Sequence, residues 1–204
     1  MTTIDIPMIS DTTWNGGALD TNYDANVYLR IGKDSNTGGA IWRGWIKPDF
    51  SSIPAGSTFN SAILKPTPVY DASDNTRTMR AHRCLRDVVS NQATWQIWKT
   101  ANSWGTVGCS NSSTDYDGAV EMGNMSVSAT QTLNVQMSMT LVHAELQKLF
   151  DGTYTNNGIA LFMDTQVNDC MMFASQEYET TAYRPIITID YTAPAVSSGF
   201  FSLF

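Results

Sequence analysis

The chain has few of the residues on which most enzymes and nucleic-acid-binding proteins depend. Its 204 residues include 12 Lys and Arg against 19 Asp and Glu, a net charge of −7, and only two histidines. Because phosphate contacts need clustered cations, this balance argues against DNA or RNA as a partner. Neither His82 nor His143 belongs to a His-Glu-x-x-His pair, and the sequence has no Gly-x-Ser-x-Gly elbow and no P-loop. We therefore predict that the protein is not an enzyme.

A long apolar run is also missing. No stretch approaches the roughly 20 apolar residues that a membrane-spanning helix needs. The N-terminal segment has neither the positive region nor the apolar core of a signal peptide. These absences predict no membrane partner and synthesis as a soluble cytoplasmic chain. A mature exported fragment is the alternative.

Cysteine is scarce. The three cysteines, Cys84, Cys109 and Cys170, form an odd set without Cys-x-x-Cys spacing. That pattern favours reduced, mostly buried thiols over a disulfide framework or a zinc site. A bridge between Cys84 and Cys170 is left open.

Short alternating segments separated by Gly and Asx turns make up most of the chain, which is typical of sandwiches and jelly rolls. We predict an all-β fold, a jelly-roll-like antiparallel β-sandwich. Pro66 and Pro68 indicate an edge or bulged strand between its regular strands. One domain is expected over residues 1–192, followed by an apolar tail at 193–204. The predicted strands lie near residues 27–32, 40–47, 60–65, 77–84, 130–137, 158–163, 170–174 and 186–191.

One short amphipathic helix is predicted at about residues 139–151. Leu146, Leu149 and Phe150 lie on one face of this segment. Gly152 follows it and is suited to end the helix in a left-handed conformation. The expected role of the helix is to close the core.

Several motifs occur in the order that one family of β-sandwich modules shows. They are Asp20–Asp24 with Tyr28–Gly32, Arg43–Phe50, Ile53–Ser57 with Ser61–Lys65, Ala93–Trp95, Asn157–Phe162 and the closing segment Phe173–Tyr191. In this order they resemble the DNRLRE family, which is related in use to carbohydrate-binding domains. The resemblance implies a sandwich with the helix across its end and a buried Trp95. Residues 98–125 depart from the family pattern, and we interpret them as long variable loops.

Two groups of residues are candidate ligand sites. Alternate oxygen ligands in Asp20, Asn22, Asp24 and Asn26 have the chemistry of a structural Ca²⁺ loop, and Asx turns that bond their own backbone are the alternative. No other cofactor is expected. In the variable region, aromatic rings are candidates for stacking on a sugar face; they are Trp98, Trp104 and Tyr116.

The C-terminal tail is the candidate assembly site. It ends in the apolar residues Phe200, Phe201, Leu203 and Phe204, each of which contributes about 1.5–3 kcal/mol when buried. We expect them to dock on a neighbouring subunit, with folding back onto the same chain as the alternative.

Taken together, these features suggest a non-enzymatic phage virion structural protein, a capsid decoration or a tail or fibre accessory. Such a protein is made in the host cytoplasm and resides in the virion. Its expected partners are other virion proteins, copies of itself and a host or mucus glycan. The alternative is an extracellular carbohydrate-binding module of a polysaccharide-degrading system.

Overall fold

The computed structural model describes residues 1–34, 38–73, 75–163 and 169–195. These ranges contain thirteen strands and one α-helix, so the predicted all-β class is confirmed. The helix α1 is His143–Phe150, inside its predicted range. The strands are β1 Thr2–Asn15, β2 Tyr28–Asp34, β3 Ala40–Pro48, β4 Thr58–Lys65, β5 Pro68–Ser73, β6 Arg77–Cys84, β7 Ile97–Lys99, β8 Asn102–Ser103, β9 Tyr116–Val127, β10 Met139–Leu141, β11 Ile159–Met163, β12 Asp169–Ala174 and β13 Ile186–Thr192.

The main sheet closes on itself. Its antiparallel order is β1-β13-β4-β10-β9-β6-β11-β3, and β3 pairs again with β1, which gives a barrel-like ring of eight strands. From β3 the sheet continues outward through β2, β12 and β5. The hairpin of β7 and β8 is separate. The three added strands therefore form an extension of the sheet that ends at β5.

The long first strand makes closure possible. Residues 2–7 of β1 pair with β13, whereas the residues from Met8 onward pair with β3. A register shift between Met8 and Ser10 separates the two halves. Because a bulge bends a strand and increases its twist, it lets one strand join two parts of the sheet.

Two predictions about strands were wrong. Residues 130–137 form turns, and Val135 is 54% exposed. Residues 98–125, which were interpreted as loops because of their glycines, include most of β9. Gly123 is required by packing, because a Cβ there would lie 2.6 Å from the carbonyl oxygen of Thr140 beside the neighbouring strand. The edge strand predicted from Pro66 and Pro68 is confirmed as β5, which is bulged against β12.

The main core fills the sheet interior with Ile, Leu and Met side chains, and α1 covers it with Leu146 and Leu149. Gln147 fixes the helix to the start of β4. Its Oε1 accepts the Phe59 N–H at 2.7 Å, and its Nε2 donates to the Ser57 carbonyl at 3.2 Å. The helix thus closes the core, as its amphipathic pattern predicts.

A second buried cluster lies beneath residues 85–115. We call its four large rings, Trp14, Trp45, Trp95 and Trp104, the tryptophan cluster. Trp45 Nε1 donates to the Asn157 carbonyl at 2.8 Å, and Trp104 Nε1 donates to the Thr94 carbonyl at 3.0 Å. These two buried indoles therefore have carbonyl acceptors, whereas Trp14 Nε1 has no hydrogen-bond partner among the described residues. The burial of Trp95, implied by the family resemblance, is confirmed at 7% exposure.

Candidate functional site

The outer face of the sheet extension carries a groove of about 320 Å³. Met172 of β12 lies at its centre and is in register with Arg30 of β2 on one side and Tyr70 of β5 on the other. Alternation along the strands sends Leu29, Ile31, Met171 and Phe173 to the opposite face, into the main core. The groove is therefore built on a rigid, fully packed support.

Aromatic rings and one charge pair line the groove. Tyr70 is 51% exposed, and Tyr28 is half-buried beside Tyr178, with ring centroids 6.1 Å apart. Arg30 Nη1 lies 3.8 Å from Asp34 Oδ2. The groove thus combines apolar ring surface with a cation that can donate hydrogen bonds and a nearly buried anion that balances its charge.

Stacking contacts hold the Arg30 guanidinium in place. The guanidinium lies over the Trp42 ring at 4.8 Å, and Tyr23 packs edge-on against the same ring at 5.1 Å. Within the described part of the chain, neither Arg30 Nε nor Trp42 Nε1 has a hydrogen-bond partner. Most buried donors have a partner, so these two N–H groups are exceptions.

The three rings predicted to face a glycan lie elsewhere. Trp104 is only 5% exposed and packs edge-on against Trp14 at 4.7 Å, so its ring is not at the surface. Tyr116 is half-buried between His82 and Phe162. Trp98 is half-buried too, with Lys99 Nζ 4.4 Å from its ring. The prediction is wrong for Trp104, because its indole is part of the tryptophan cluster.

Side chains of the predicted calcium loop are engaged with the protein. Asp20 Oδ1 accepts from Gln96 Nε2 at 2.6 Å, and Asn22 Nδ2 donates to the carbonyls of Ser90 and Ala93. Asn26 Oδ1 accepts the Tyr28 N–H at 2.9 Å, and the Asp24 N–H donates to Asn22 Oδ1 at 3.1 Å. These contacts match the Asx-turn alternative.

No group of three or more His, Cys, Asp and Glu in the described ranges is arranged to hold a metal ion. The predicted loop would also use the amide oxygens of Asn22 and Asn26, which are ligands of a different kind. Calcium binding at Asp20, Asn22, Asp24 and Asn26 therefore stays a prediction.

Asp115 organises the loop above the tryptophan cluster. This fully buried carboxylate accepts the N–H groups of Gly105, Thr106 and Asn111 at 2.7, 3.0 and 3.1 Å. Arg86 Nε approaches its Oδ1 at 3.4 Å. Three backbone donors converging on one carboxylate hold together the segment between β8 and β9.

A second buried carboxyl, Asp11, lies where β1 passes from β13 to β3. Its Oδ2 accepts the Gln176 N–H at 2.8 Å, and the carboxyl of Glu177 lies beside it. Burial, together with the charge of Glu177, raises the pKa of Asp11 from 3.8 to about 8, against the opposing effect of the Gln176 N–H. The contacts of Asp11 with Gln176 and Glu177 hold the turn before β13 against β1.

Arginines at every third position of β6 and its extension all face acids, so they create no open basic patch. Arg83 Nη2 lies 2.8 Å from Asp117 Oδ2, and Arg77 Nη2 lies 2.5 Å from Asp169 Oδ2. Arg80 pairs with Glu121, and Arg86 with Asp115. Along β6 and its extension, the charge of each of these arginines is therefore balanced by an acid.

The His82 imidazole makes structural contacts within the fold. Its Nδ1 lies 2.9 Å from the Asp117 carbonyl and 3.1 Å from that of Val120. Its ring packs edge-on against Tyr116 at 5.1 Å. The imidazole thus links β6 to the start of β9.

The three cysteines are free thiols and all are buried. Cys84 lies beside Cys109, and Cys170 lies on β12 near Arg30 and Asp34. The structure therefore does not contain the Cys84–Cys170 bridge that the sequence left open, and the cysteine beside Cys84 is Cys109.

Phe200, Phe201, Leu203 and Phe204, predicted to serve assembly, lie outside the described residues. Among the described residues, no helix has the length and apolar character needed to cross a membrane.

The groove residues were missed, although a signal for them exists. Tyr28 and Arg30 are two apart in a predicted strand, so alternation places them on one face. Their proximity to Tyr70 depends on the pairing of β12 with both β2 and β5. That pairing is not visible in local sequence.

Comparison with known proteins does not identify the chain. Neither the scan against protein-family models nor the search of curated proteins returned a match. The resemblance to DNRLRE modules therefore rests on the sequence motifs alone.

Proposed function

We propose that this protein is a non-enzymatic carbohydrate-binding module that holds a neutral glycan in the groove lined by Tyr28, Arg30 and Tyr70. One observation carries the proposal: half-exposed tyrosine surface lies next to a paired cation and anion on a packed sheet. Sugars present apolar faces for aromatic stacking and hydroxyls for hydrogen bonds. This combination of groups suits such a ligand.

A neutral glycan fits the charge of the groove better than an acidic one. Arg30 is paired with Asp34, and the chain as a whole carries a net charge of −7. A polyanion would meet long-range repulsion from that net charge. Hydroxyl groups, in contrast, can accept from Arg30 without adding charge, while Asp34, whose side chain is 4% exposed, balances the charge of Arg30.

Binding without catalysis is supported by the composition of the groove. Glycoside hydrolysis uses two carboxyl groups on either side of the scissile bond. Among the described residues that line the groove, Asp34 is the single carboxylate. Asp11, which is 1% exposed, and the exposed Glu177 beside it belong to a turn contact between β1 and the segment before β13.

Affinity gel electrophoresis tests this proposal. Gels would contain neutral polysaccharides, such as a β-glucan, a xylan or a galactomannan, with alginate and pectin as acidic comparators. We expect a neutral polymer to retard the wild type but not Tyr70→Ala, and Trp98→Ala to behave as the wild type. Loss of binding in Trp98→Ala alone would relocate the site to the loop region. No retardation by any polymer, or release of reducing ends, would contradict the proposal.

A virion location is a second proposal, favoured by the apolar C-terminal sequence. Four large apolar residues within 200–204 are costly to leave in water, and docking on another subunit would bury them. The jelly-roll-like sandwich and membership of the DNRLRE family belong to the same proposal. A virion protein with a glycan-binding groove would attach a particle to a host or mucus surface.

Light scattering tests the docking role of the tail. The full chain is compared with a chain that ends at Tyr191. We expect the full chain to self-associate or to bind particles and the shorter chain to remain monomeric. Identical monomers that bind no particle would contradict the virion proposal and leave the glycan experiment unaffected.

A further inference from the structure

Two thiols meet under the loop that covers the tryptophan cluster. Cys84 is the last residue of β6, and Cys109 lies in the segment between β8 and β9. Both are fully buried in the same cluster, and burial together with the neighbouring Cys84 raises the pKa of the Cys109 thiol. Cys84 Sγ also lies 3.5 Å from the carbonyl oxygens of Arg86 and Asp115. The two cysteine side chains therefore lie together in a space that is closed to solvent.

The backbone around Cys109 is held in an unusual conformation. Its φ is 58°, directly after Gly108 at 71°, and side chains with a Cβ rarely adopt this region. Arg43 fixes the segment, because its Nη1 donates to the Gly108 carbonyl and to Ser110 Oγ, both at 2.5 Å. The fold thus holds Cys109 in a strained backbone conformation within the cluster that also contains Cys84.

We propose that Cys84 and Cys109 form a disulfide when the chain folds in the presence of a disulfide oxidant such as oxidised glutathione. A bond forms between the two Sγ atoms, and the two thiols release two protons and two electrons. The disulfide bond of oxidised glutathione breaks, takes up both electrons and both protons, and leaves two glutathione thiols. The new bond ties the end of β6 to the loop that contains β7 and β8.

Burial determines when the bond can form. Thiol exchange requires a thiolate that the oxidant can reach, and burial raises the pKa of the Cys109 thiol. Once the chain has folded, both sulfurs are closed to solvent. Oxidation therefore occurs while the chain folds, and a chain that has folded in the reduced state resists the same oxidant.

Cys170 provides an internal control. It lies on β12, away from the tryptophan cluster, and burial raises its pKa to about 12. Its surroundings contain Arg30 and Asp34 rather than a second cysteine. We expect it to remain a thiol under conditions that join the other two.

The test is to unfold the full chain in guanidinium, refold it in a glutathione redox buffer and alkylate it after denaturation. We expect one alkylated cysteine, Cys170, and a non-reduced peptide map that links Cys84 to Cys109. Three alkylated cysteines, or a bond that involves Cys170, would overturn the proposal. The wild-type map decides this without any variant.

Two variants and one kinetic comparison sharpen the result. Cys170→Ser should keep the bond, and Cys109→Ser should leave all its thiols free. Reduction should lower the Tm of the oxidised wild type and of Cys170→Ser but not that of Cys109→Ser. The folded, reduced wild type should keep three thiols in the buffer that oxidises the refolding chain. If the folded, reduced chain and the refolding chain were oxidised equally fast, the proposed protection of the thiols by burial would be overturned.

Discussion

The tryptophan cluster beneath residues 85–115 and the tyrosine-lined groove on β2, β12 and β5 place aromatic rings in opposite settings. In the cluster, Trp104 is 5% exposed and its indole N–H is bonded to a carbonyl. In the groove, Tyr70 is 51% exposed at the edge strand. The occurrence of an aromatic residue in a Gly-rich segment is therefore not sufficient to predict that its ring faces a ligand.

The supports of the two regions differ as well. The groove rests on paired strands, so its side chains are placed by sheet register. The loop over the cluster has little regular structure and depends on side-chain anchors such as Asp115 and Arg43. Substitutions in the loop should therefore change stability, whereas substitutions in the groove should change binding.

The largest expected effect is that of Trp104→Ala. Removing a fully packed ring leaves a cavity and an unpaired Thr94 carbonyl, and we expect a loss of about 3–5 kcal/mol in the free energy of unfolding. Trp98→Ala is the matched control, because Trp98 is half-buried, and its loss should be about 1 kcal/mol. Urea denaturation measures both. Equal losses would remove the distinction between a core ring and a partly exposed one.

Asp115→Ala should come next. It leaves the N–H groups of Gly105, Thr106 and Asn111 without their carboxylate, and we expect a loss of about 2–4 kcal/mol. Asp87→Ala is the control in the same loop, since Asp87 is 62% exposed and 3.8 Å from Lys99, and its loss should be below about 1 kcal/mol. Amide exchange should locate the loosening in 104–116. A similar loss in both variants would contradict the anchoring role of Asp115.

Asp11 makes stability depend on pH. Its pKa is about 8 in the folded chain and 3.8 as the ordinary value, so the folded state retains a proton that the unfolded state loses between these values. The contribution of Asp11 to the free energy of unfolding is therefore complete below about pH 4. It falls between about pH 4 and pH 8, by at most about 1.4 kcal/mol per pH unit, and no longer changes above about pH 8.

Asp11→Asn isolates this contribution. Asn keeps an acceptor for the Gln176 N–H and presents a donor to Glu177 instead of a second charge. Relative to the wild type, we expect the variant to gain stability steadily as the pH rises from 5 to 8 in thermal unfolding. A constant difference between Asp11→Asn and the wild type would contradict the raised pKa.

Tyr70→Ala should have the smallest effect on stability. About half of the side chain is already exposed, so the loss should be within about 0.5 kcal/mol. Its glycan retardation should nevertheless disappear. A large loss of stability would show that Tyr70 serves the fold and not a ligand.

The sequence predicts the elements that carry their pattern locally. Alternation in Ile186–Thr192 and the amphipathic face with Leu146 and Leu149 each match an element. β9 was missed because Gly123 gives a loop-like pattern, whereas the glycine is needed for the close approach of the Thr140 carbonyl. Close packing between distant segments has no local signature.

The site was predicted less well than the fold, for a related reason. Trp104 and the residues of the predicted calcium loop were chosen by residue type. Residue type shows neither whether a ring is buried nor which hydrogen-bond partners a polar side chain has. Asn22, for example, donates to two carbonyls about 70 positions further along the chain. The groove depends on register among three strands that are far apart in sequence, so alternation along any one of them was insufficient.

The most direct test of the account is a ¹H–¹⁵N NMR titration of the isotope-labelled full chain with an oligosaccharide of the polymer that retards it. The account predicts chemical-shift changes in β2, β12 and β5 around Arg30, Tyr70 and Met172, and unchanged signals in residues 96–106. Changes centred on Trp98 with a silent groove would contradict it.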